Sequence, residues 1–391
     1  MSDLITALTI DTKEDGWDSS HGFVKRDIPM PTLDEKNNSS DALSVIVKVQ
    51  FAGLCGSDRG IFKRAAFKEM IHDSLDAEKK TTRILGHEFV GEVVEVGSQV
   101  ENLYDIAVGN PVSGDSHVTC GKCFQCRIGE QETCQNQSIL GISIDGIYAP
   151  YVKIPAKNLW VVDHERIRPE IAAMFDPFGN AVHALSKVNT QGARVAVFGC
   201  GQIGLFSIVL ARHFGAAKVI GIDTNPDNLR MAKELGAHET ILVGKEDKEH
   251  EYDVDQSVID RIMEITYGKG VDVSMEMAGF NSTFNNTIAA TRFGGEVILF
   301  GIKDGDFVVP NYSRMVVKGL TIYNVIGRQV FTTWQTAQRV LSDHTNGVQD
   351  KMWKVILNEG DGTIIKLSEA TTELLEEKMS SFPKLLFDIQ S

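Results

Sequence analysis

Hydrophobic and polar positions nearly alternate in two stretches of the first part of the chain. These stretches are LSVIVKVQF at residues 43–51 and HEFVGEVVEVG at residues 87–97. A period of two is typical of strands that bury one face, and glycines mark the turns between such strands. The pattern therefore predicts antiparallel strands, each with one face in water, in an all-β region.

The pattern changes after residue 192, where short apolar runs alternate with segments of helical period. It predicts strands at 194–198, 219–223, 271–276 and 296–300, and helices at 205–214 and 228–235. Strands that alternate with helices form a parallel sheet covered on both faces. An all-β domain followed by a doubly wound α/β domain also suits a chain of 391 residues, which is long for a single core.

Composition narrows the classes of function. Hydrophobic residues make up 42% of the chain and charged residues 24%, which excludes a disordered protein. The formal net charge of −14 disfavours nucleic acid and anionic membranes as partners, because it would repel phosphate. No apolar run approaches the roughly 20 residues of a membrane span, and the first residues lack the features of a signal peptide. We therefore expect a cytoplasmic protein without nucleic-acid or membrane partners.

Cysteines cluster in the run CGKCFQCRIGEQETC, with spacing C-x2-C-x2-C-x7-C. The run contains Cys120, Cys123, Cys126 and Cys134. Zn²⁺ takes four thiolates tetrahedrally, and nothing here offers an exchangeable position, so the spacing predicts a structural zinc site. Free cysteines on a loop are the alternative. An iron–sulfur cluster also takes four thiolates, but the rest of the chain argues against electron transfer.

A glycine fingerprint begins the predicted α/β part. Gly199, Gly201 and Gly204 form GxGxxG between the strand RVAVF and a helix, and Asp223 ends the next strand. Such glycines let backbone N–H groups approach a pyrophosphate at a helix N-terminus. The Asp223 carboxylate can accept both hydroxyls of a ribose and repels a 2′-phosphate. The motif predicts an NAD site, and a purely structural glycine turn is the alternative.

A second group of metal-binding residue types precedes the cysteine cluster. Cys55 lies in GLCGSDRG, and His87 and Glu88 lie in ILGHEFVGE. Thiolate, imidazole and carboxylate suit Zn²⁺ with a fourth position left for water or substrate. Each residue alone would more often be a packed or surface side chain. Asp176, within the apolar run MFDPFGNAVH, needs a partner such as a metal or its bound water, or else caps a helix.

Together these motifs resemble the zinc-dependent medium-chain alcohol dehydrogenases, from about Val45 to the end of the chain. HVTCGKCFQCRIG, FDPFGNAVHAL and VVKGLTIYNVIGRQVFTTW are most similar to the threonine dehydrogenase branch. The resemblance implies a GroES-like, β-rich catalytic domain at 1–180 and 328–391, which includes the structural-zinc lobe. It also implies a Rossmann NAD-binding domain at 181–327, and a homodimer or homotetramer.

The resemblance also assigns roles to single residues. Cys55, His87 and Glu88 match ligands of a catalytic zinc, and Asp176 matches an acidic residue beside it. Ser57 matches the hydroxyl that passes the substrate proton outward. His117 matches a histidine on the substrate side, although it could instead steady the cysteine cluster. Further positions match cofactor contacts: Ile203, Phe300, Gly301, Ile302, Val325 and Ile326.

The implied activity is the NAD-dependent oxidation of a small secondary alcohol to a ketone. Three departures from the threonine branch bear on the substrate. Gly60 stands where a relay histidine is expected, which leaves His72 or solvent as the end of the relay. Asn228 replaces a basic residue after the ribose aspartate, and the stretch 64–82 is longer. A polyol, sugar or cyclitol dehydrogenase therefore remains the alternative. A non-catalytic NAD-binding relative is a more distant one, since all three zinc ligands are present.

Overall fold

The structure is a computed structural model that describes residues 3–244, 248–302, 305–310 and 312–391. The chain forms two compact units. The first comprises Met1–Pro177, Gln329–His344 and Ile356–Ser391, and the second comprises Phe178–Arg328 and Thr345–Val355. Each unit is described by itself below.

The strands, in chain order, are β1 Leu4–Asp11, β2 Val24–Pro29, β3 Ser44–Leu54, β4 Thr82–Ile84, β5 Glu88–Val96, β6 Pro111–Gly114, β7 His117–Val118, β8 Ser138–Ile139, β9 Tyr151–Pro155, β10 Leu159–Val161, β11 Arg194–Phe198, β12 Lys218–Asp223, β13 Glu239–Leu242, β14 Val271–Glu276, β15 Thr291–Leu299, β16 Thr321–Asn324, β17 Ile364–Lys366 and β18 Leu385–Asp388.

The α-helices are α1 Gly56–Phe62, α2 Lys68–Glu78, α3 Val100–Tyr104, α4 Phe124–Ile128, α5 Pro169–Ala172, α6 Phe175–Ser186, α7 Gln202–His213, α8 Pro226–Leu235, α9 Gln256–Ile265, α10 Asn281–Ala290, α11 Tyr312–Val317, α12 Thr332–Ser342, α13 Val348–Lys351 and α14 Thr372–Ser381. Within the described ranges, none of the helices is both long and apolar enough to cross a membrane.

The first unit is built on a mixed sheet of the order β10-β6-β5-β3-β18-β17 in the described residues, and β9 also pairs with β3. β3 and β5 pair antiparallel, which confirms the predicted β-rich region. A second sheet of order β2-β1-β4 and the β7–β8 pair complete the strands of this unit. A core of aliphatic and aromatic side chains fills it, including Val47, Phe62, Phe89, Tyr148 and Phe387.

The prediction of one wet face is confirmed for the middle of β3 only. Lys48 and Gln50 are exposed, whereas Ile46 on the same face is buried. β3 pairs with β5, β9 and β18, so it lies in the interior of the sheet rather than at an edge. Its polar residues are therefore exposed only where no other element packs on that face of the sheet, at Lys48 and Gln50.

The second unit contains a parallel sheet of order β13-β12-β11-β14-β15-β16 in the described residues. Helices connect successive strands, which confirms the doubly wound α/β fold. β11 and β14 have the bounds that the sequence predicts, whereas β15 begins at Thr291, earlier than residue 296. The order reverses between β11 and β14, and ligands bind outside the carboxyl ends of strands at such a switch point.

Candidate active site and cofactor site

Cys55, His87 and Glu88 lie together in the first unit. Cys55 follows β3 as the N-cap of α1, and Glu88 begins β5 opposite Gly53 of β3. The antiparallel pairing therefore brings two segments that are distant in sequence to one point. One ligand atom from each residue lies within 4.8 Å of the others, and His87 and Glu88 are buried.

This group fits a zinc ion. Glu88 Oε1 is buried without a hydrogen-bond partner among the described residues, and an unpartnered buried polar atom is costly. Thiolate, imidazole and carboxylate are zinc donors, and a set of three leaves one position open, as in catalytic sites. The site could therefore hold a zinc ion that also takes a substrate oxygen.

Asp58 faces the histidine of this group and was not singled out from the sequence. Its Oδ2 accepts a hydrogen bond from Cys55 N at 2.8 Å, and its Oδ1 lies 3.6 Å from His87 Nδ1. Burial lowers the pKa of His87, but the charge of Asp58 outweighs it and raises the pKa well above the usual value. Nδ1 is the ring nitrogen that faces the Asp58 carboxylate, and a proton held there would leave Nε2 for a metal.

Lys384 forms an ion pair with Glu88 Oε2, and both side chains are fully buried. The segment before Lys384 is held by Arg59 of α1, whose guanidinium donates to the carbonyls of Phe382 at 2.7 Å and Pro383 at 3.0 Å. No local pattern signals Lys384, because it reaches Glu88 only through the pairing of β18 with β3.

Ser57 lies in the first turn of α1, two residues after Cys55. At Gly60 on the same helix, a Cβ atom would lie 2.9 Å from Ala66 Cβ, so a side chain there requires Ala66 to move. His72, on α2, packs edge-on against Trp17 with ring centroids 5.8 Å apart. The relay roles of Ser57 and His72 stay predictions.

His117 and Asp176 are connected through the residues between β6 and β7. Ser116 N donates to Asp176 Oδ2 at 3.2 Å, and His117 N donates to Asp115 Oδ1 at 2.7 Å. Asp176 is buried in the first turn of α6, but it is not part of the close group of Cys55, His87 and Glu88. The catalytic roles of His117 and Asp176 therefore stay predictions.

The four clustered cysteines converge on one point. Their sulfur atoms lie within 4.8 Å of one another, and Cys123 Sγ and Cys134 Sγ are 3.8 Å apart. Backbone N–H groups of Lys122 and Cys123 lower the pKa of Cys120 to about 6, whereas burial raises the pKa of Cys126 to about 12. The donor set fits a structural zinc, since the charge of an ion stabilises several thiolates at once.

The glycine fingerprint of the second unit lies between β11 and α7. Gly199 has φ of +94°, and a Cβ there would lie 2.9 Å from Ala278 Cβ. A Cβ at Gly204 would lie 1.9 Å from the Gly199 carbonyl oxygen. Gly201 is the N-cap of α7, so backbone N–H groups at this turn remain available to an anion. This geometry fits a dinucleotide.

Asp223 ends β12 beside this turn. Its Oδ2 accepts a hydrogen bond from Cys200 N at 2.6 Å, and its Oδ1 accepts one from Asn225 N at 2.7 Å. Asn228 Nδ2 lies 3.4 Å from Oδ2. Arg230 contacts Asp227 and Glu234 instead. The carboxylate is thus held at the edge of the sheet where a ribose would lie.

The other predicted cofactor residues lie at the amino end of α7 and just after the carboxyl ends of strands of the same unit. Ile203 is in the first turn of α7, the segment 300–302 follows β15, and 325–326 follows β16. Phe300 N and Gly301 N both donate to the Glu276 carbonyl, and Val325 N donates to the Leu299 carbonyl. Parallel strands end at this edge, which is where such folds bind dinucleotides.

Glu276 is a further residue that the sequence did not reveal. Its Oε1 accepts hydrogen bonds from Ala278 N, Gly279 N and Thr283 Oγ1 at 2.7–2.9 Å. Burial raises the pKa of Glu276, although these hydrogen bonds oppose the rise. The carboxyl group shapes the turn that contacts Gly199.

A three-donor metal site and a dinucleotide-binding turn define the class of metal-dependent dehydrogenases. Residues 41–164 match the family model of the alcohol dehydrogenase GroES-like domain, and residues 203–343 match that of the zinc-binding dehydrogenases. The L-threonine 3-dehydrogenase of Bacillus subtilis (strain 168) is 33% identical over 84% of this chain and 86% of its own length. The chain belongs to the zinc-dependent medium-chain alcohol dehydrogenase family, and is therefore an oxidoreductase with zinc and a nicotinamide dinucleotide as cofactors.

Other proteins extend the comparison. The L-threonine 3-dehydrogenase of Caldanaerobacter subterraneus subsp. tengcongensis is 33% identical over 87% of this chain and 88% of its own. A zinc-binding dehydrogenase from Sinorhizobium meliloti 1021, solved with NADP bound, aligns with TM-score 0.76 at 25% identity and covers 99% of this chain and 100% of its own. An alcohol dehydrogenase from Thermus sp. ATN1 aligns with TM-score 0.78 at 24% identity over 98% and 99% of the two chains. These likenesses confirm the predicted fold.

Proposed function

We propose that the protein oxidises the secondary hydroxyl group of L-threonine with NAD, which gives 2-amino-3-oxobutanoate. The observation that carries the reaction type is the convergence of Cys55, His87 and Glu88 on one point of the first unit. The substrate rests on the curated relatives, which are named L-threonine 3-dehydrogenases and match most of this chain. In this proposal the first unit is the catalytic domain and the second binds NAD.

The chain's own residues would divide the work as follows. Zinc held by Cys55, His87 and Glu88 would supply Lewis acidity that makes the substrate hydroxyl more acidic, and bound NAD would supply the hydride acceptor. Ser57 moves the hydroxyl proton outward. His117 hydrogen-bonds the carboxylate or amine of the substrate, and a site built around such a contact rejects analogues that lack it.

Asp223 makes the cofactor NAD rather than NADP in this proposal, because a 2′-phosphate would face its carboxylate. The NADP bound to the relative from Sinorhizobium meliloti 1021 shows that this choice requires a test on this chain. The four clustered cysteines hold a second zinc that has no open position and serves the fold.

A polyol, sugar or cyclitol dehydrogenase is the second candidate, and Gly60 favours it. The threonine branch has a histidine at this position, whereas here a Cβ would lie only 2.9 Å from Ala66 Cβ. A different substrate with a different relay would need no histidine there. The reaction type and both zinc sites are the same in the two candidates.

An absorbance assay of NADH formation by zinc-replete protein separates the two candidates. We expect activity with L-threonine and little with sorbitol, xylitol or myo-inositol. His117→Ala should lower kcat/KM for L-threonine more than for 2-butanol, which has no charged group to bind. If the protein reduces NAD with polyols but not with L-threonine, the second candidate is correct.

We further propose a cytoplasmic homo-oligomer. All six cysteines are free thiols, which suits a reducing compartment. β16 lies at the end of its sheet in the described residues, and Tyr312, Val316 and Val317 nearby in sequence are exposed apolar or aromatic residues. Such a surface fits a second copy of the chain. Light scattering would give the number of copies.

A further inference from the structure

Tyr148 is fully buried in the first unit, and its position is tightly determined. Leu8 N donates to the Tyr148 carbonyl and Tyr148 N donates to the Leu85 carbonyl, both at 2.9 Å. The ring packs edge-on against Phe387 with centroids 4.9 Å apart. Because main chain and ring are both held, the hydroxyl group lies at one defined point of the core.

The hydroxyl group reaches Asp58. Tyr148 Oη lies 2.9 Å from Asp58 Oδ2 and 2.9 Å from the Gly53 carbonyl oxygen. A phenol is protonated at neutral pH, and the carboxylate is the stronger acceptor, so the hydroxyl donates to Asp58. Asp58 Oδ2 also accepts from Cys55 N. Two donors on Oδ2 leave Oδ1 to His87.

The remaining oxygen and the histidine are not yet within hydrogen-bonding distance. Asp58 Oδ1 and His87 Nδ1 are 3.6 Å apart, and both atoms are buried without another partner among the described residues. A shift of well under 1 Å would join them. The direction in which the imidazole points therefore depends on how firmly Asp58 is held from its other side.

The ring of Tyr148 also acts on the backbone that carries His87. Gly86 precedes His87 and has φ of +84°, and a Cβ at Gly86 would lie 2.3 Å from the Tyr148 ring. The ring thus lies directly against the Gly86 main chain. The Tyr148 side chain therefore contacts both the Asp58 carboxylate, which faces the His87 imidazole, and Gly86, which precedes His87.

We propose that Tyr148 is a positioning residue of the zinc site. Its hydroxyl orients Asp58, and Asp58 in turn orients the His87 imidazole toward the ion. Tyr148 itself touches neither metal nor substrate. This inference rests on the proposed zinc site of Cys55, His87 and Glu88. Partners one step beyond the ligands are typically worth about 10- to 100-fold in metal affinity.

The test measures zinc affinity in the metal-depleted full-length protein by competition with a chromophoric chelator. Tyr148→Phe removes one oxygen atom and should lower the zinc affinity of the site formed by Cys55, His87 and Glu88 about tenfold or more. Cobalt(II) placed in that site should show a changed visible spectrum, which reports ligand geometry independently of activity. Tyr104→Phe, in a half-buried tyrosine of α3, is the matched control and should change neither quantity.

A double-mutant cycle of Tyr148→Phe with Asp58→Asn tests whether Tyr148 acts on His87 through Asp58. If the hydroxyl acts through Asp58, the losses in zinc affinity from Tyr148→Phe and Asp58→Asn will not add.

The outcomes distinguish the alternatives. Unchanged zinc affinity and cobalt spectrum in Tyr148→Phe, even with lower stability of the metal-free protein, would mean that Tyr148 only packs the core. Additive losses in the double-mutant cycle would also overturn the proposal. A wild-type protein that binds no second, labile zinc ion would instead overturn the proposed metal site, and this inference with it.

Discussion

At the scale of the residue, Asp223 shows how a carboxylate can select a cofactor. Both of its oxygens accept a backbone N–H, from Cys200 and from Asn225, so the charge cannot turn away from a ligand. A 2′-phosphate would meet this fixed charge, and placing like charges together costs on the order of several kcal/mol.

Asp223→Ser should therefore narrow the preference for NAD over NADP by about tenfold or more, measured as the ratio of the two kcat/KM values. The kcat/KM for NADP should rise because the negative charge is removed. The kcat/KM for NAD should change less, because serine still accepts a hydrogen bond from a ribose hydroxyl. Asp227→Ser on the exposed face of α8 is the control. Equal efficiency with both cofactors in the unmodified protein would contradict the role of Asp223.

Lys384 is the second residue whose role can be tested by a single substitution. It neutralises Glu88 in a fully buried pair, and removing one partner of such a pair costs about 3–5 kcal/mol. Lys384→Met should lower the free energy of unfolding of the metal-free protein by about this amount. Zinc should reduce the deficit, because the ion supplies the missing positive charge.

Denaturant unfolding with and without zinc measures both effects. Lys378→Met, which removes a lysine paired with exposed Glu377, should change the free energy of unfolding by less than about 1 kcal/mol. A deficit in Lys384→Met that is identical with and without zinc would show that Glu88 does not contact the ion.

At the scale of the element, Asp272 joins three neighbouring strands of the parallel sheet. It lies on β14 and accepts hydrogen bonds from Arg194 N at 2.8 Å on β11 and from Arg292 Nε at 2.6 Å on β15. Burial raises the pKa of Asp272, but these hydrogen bonds and the arginine charges outweigh it and lower the pKa. The ionised form therefore stabilises the folded state.

Asp272→Asn should lower the free energy of unfolding by about 1.5–3 kcal/mol at neutral pH, the range for hydrogen bonds to a charged group. Because the folded pKa is lowered, this stabilisation is present above the unfolded value of about 3.9 and disappears as pH falls below it. The gap between wild type and variant should shrink below about pH 4. Asp260→Asn on α9 is the control, and a gap independent of pH would contradict the role.

The elements themselves were largely predictable. Strand β11 follows an apolar run with the observed bounds, because a parallel strand that is buried on both faces is mostly apolar. Strand β14 also has the predicted bounds, although Asp272, Ser274 and Glu276 alternate with its apolar residues. The predicted wet face of β3 is limited to Lys48 and Gln50. Alternation in sequence indicates which positions tolerate polar residues. It does not indicate how much of that face is covered by other parts of the chain.

At the scale of the whole molecule, some functional residues are close together in sequence and others are brought together only by the fold. The four-cysteine cluster and the glycine fingerprint are visible in sequence because one short segment carries their chemistry. Asp58 and Lys384 are not, since they act through pairings between distant strands. A charged residue late in a chain has no local signal of a partner some three hundred positions earlier.

The two metal groups should differ in lability, because one set of donors is complete and the other is open. A zinc ion held by four thiolates has no free position and should exchange slowly. An ion held by three protein ligands has an open position at which a chelator can attack. We expect two zinc ions per freshly prepared chain, and mild treatment with EDTA should remove one of them together with the activity. Cys55→Ser should lose the labile ion and Cys126→Ser the other, as measured by elemental analysis. One ion or none per chain, or loss of both at the same rate, would show that the two groups are not a catalytic and a structural site.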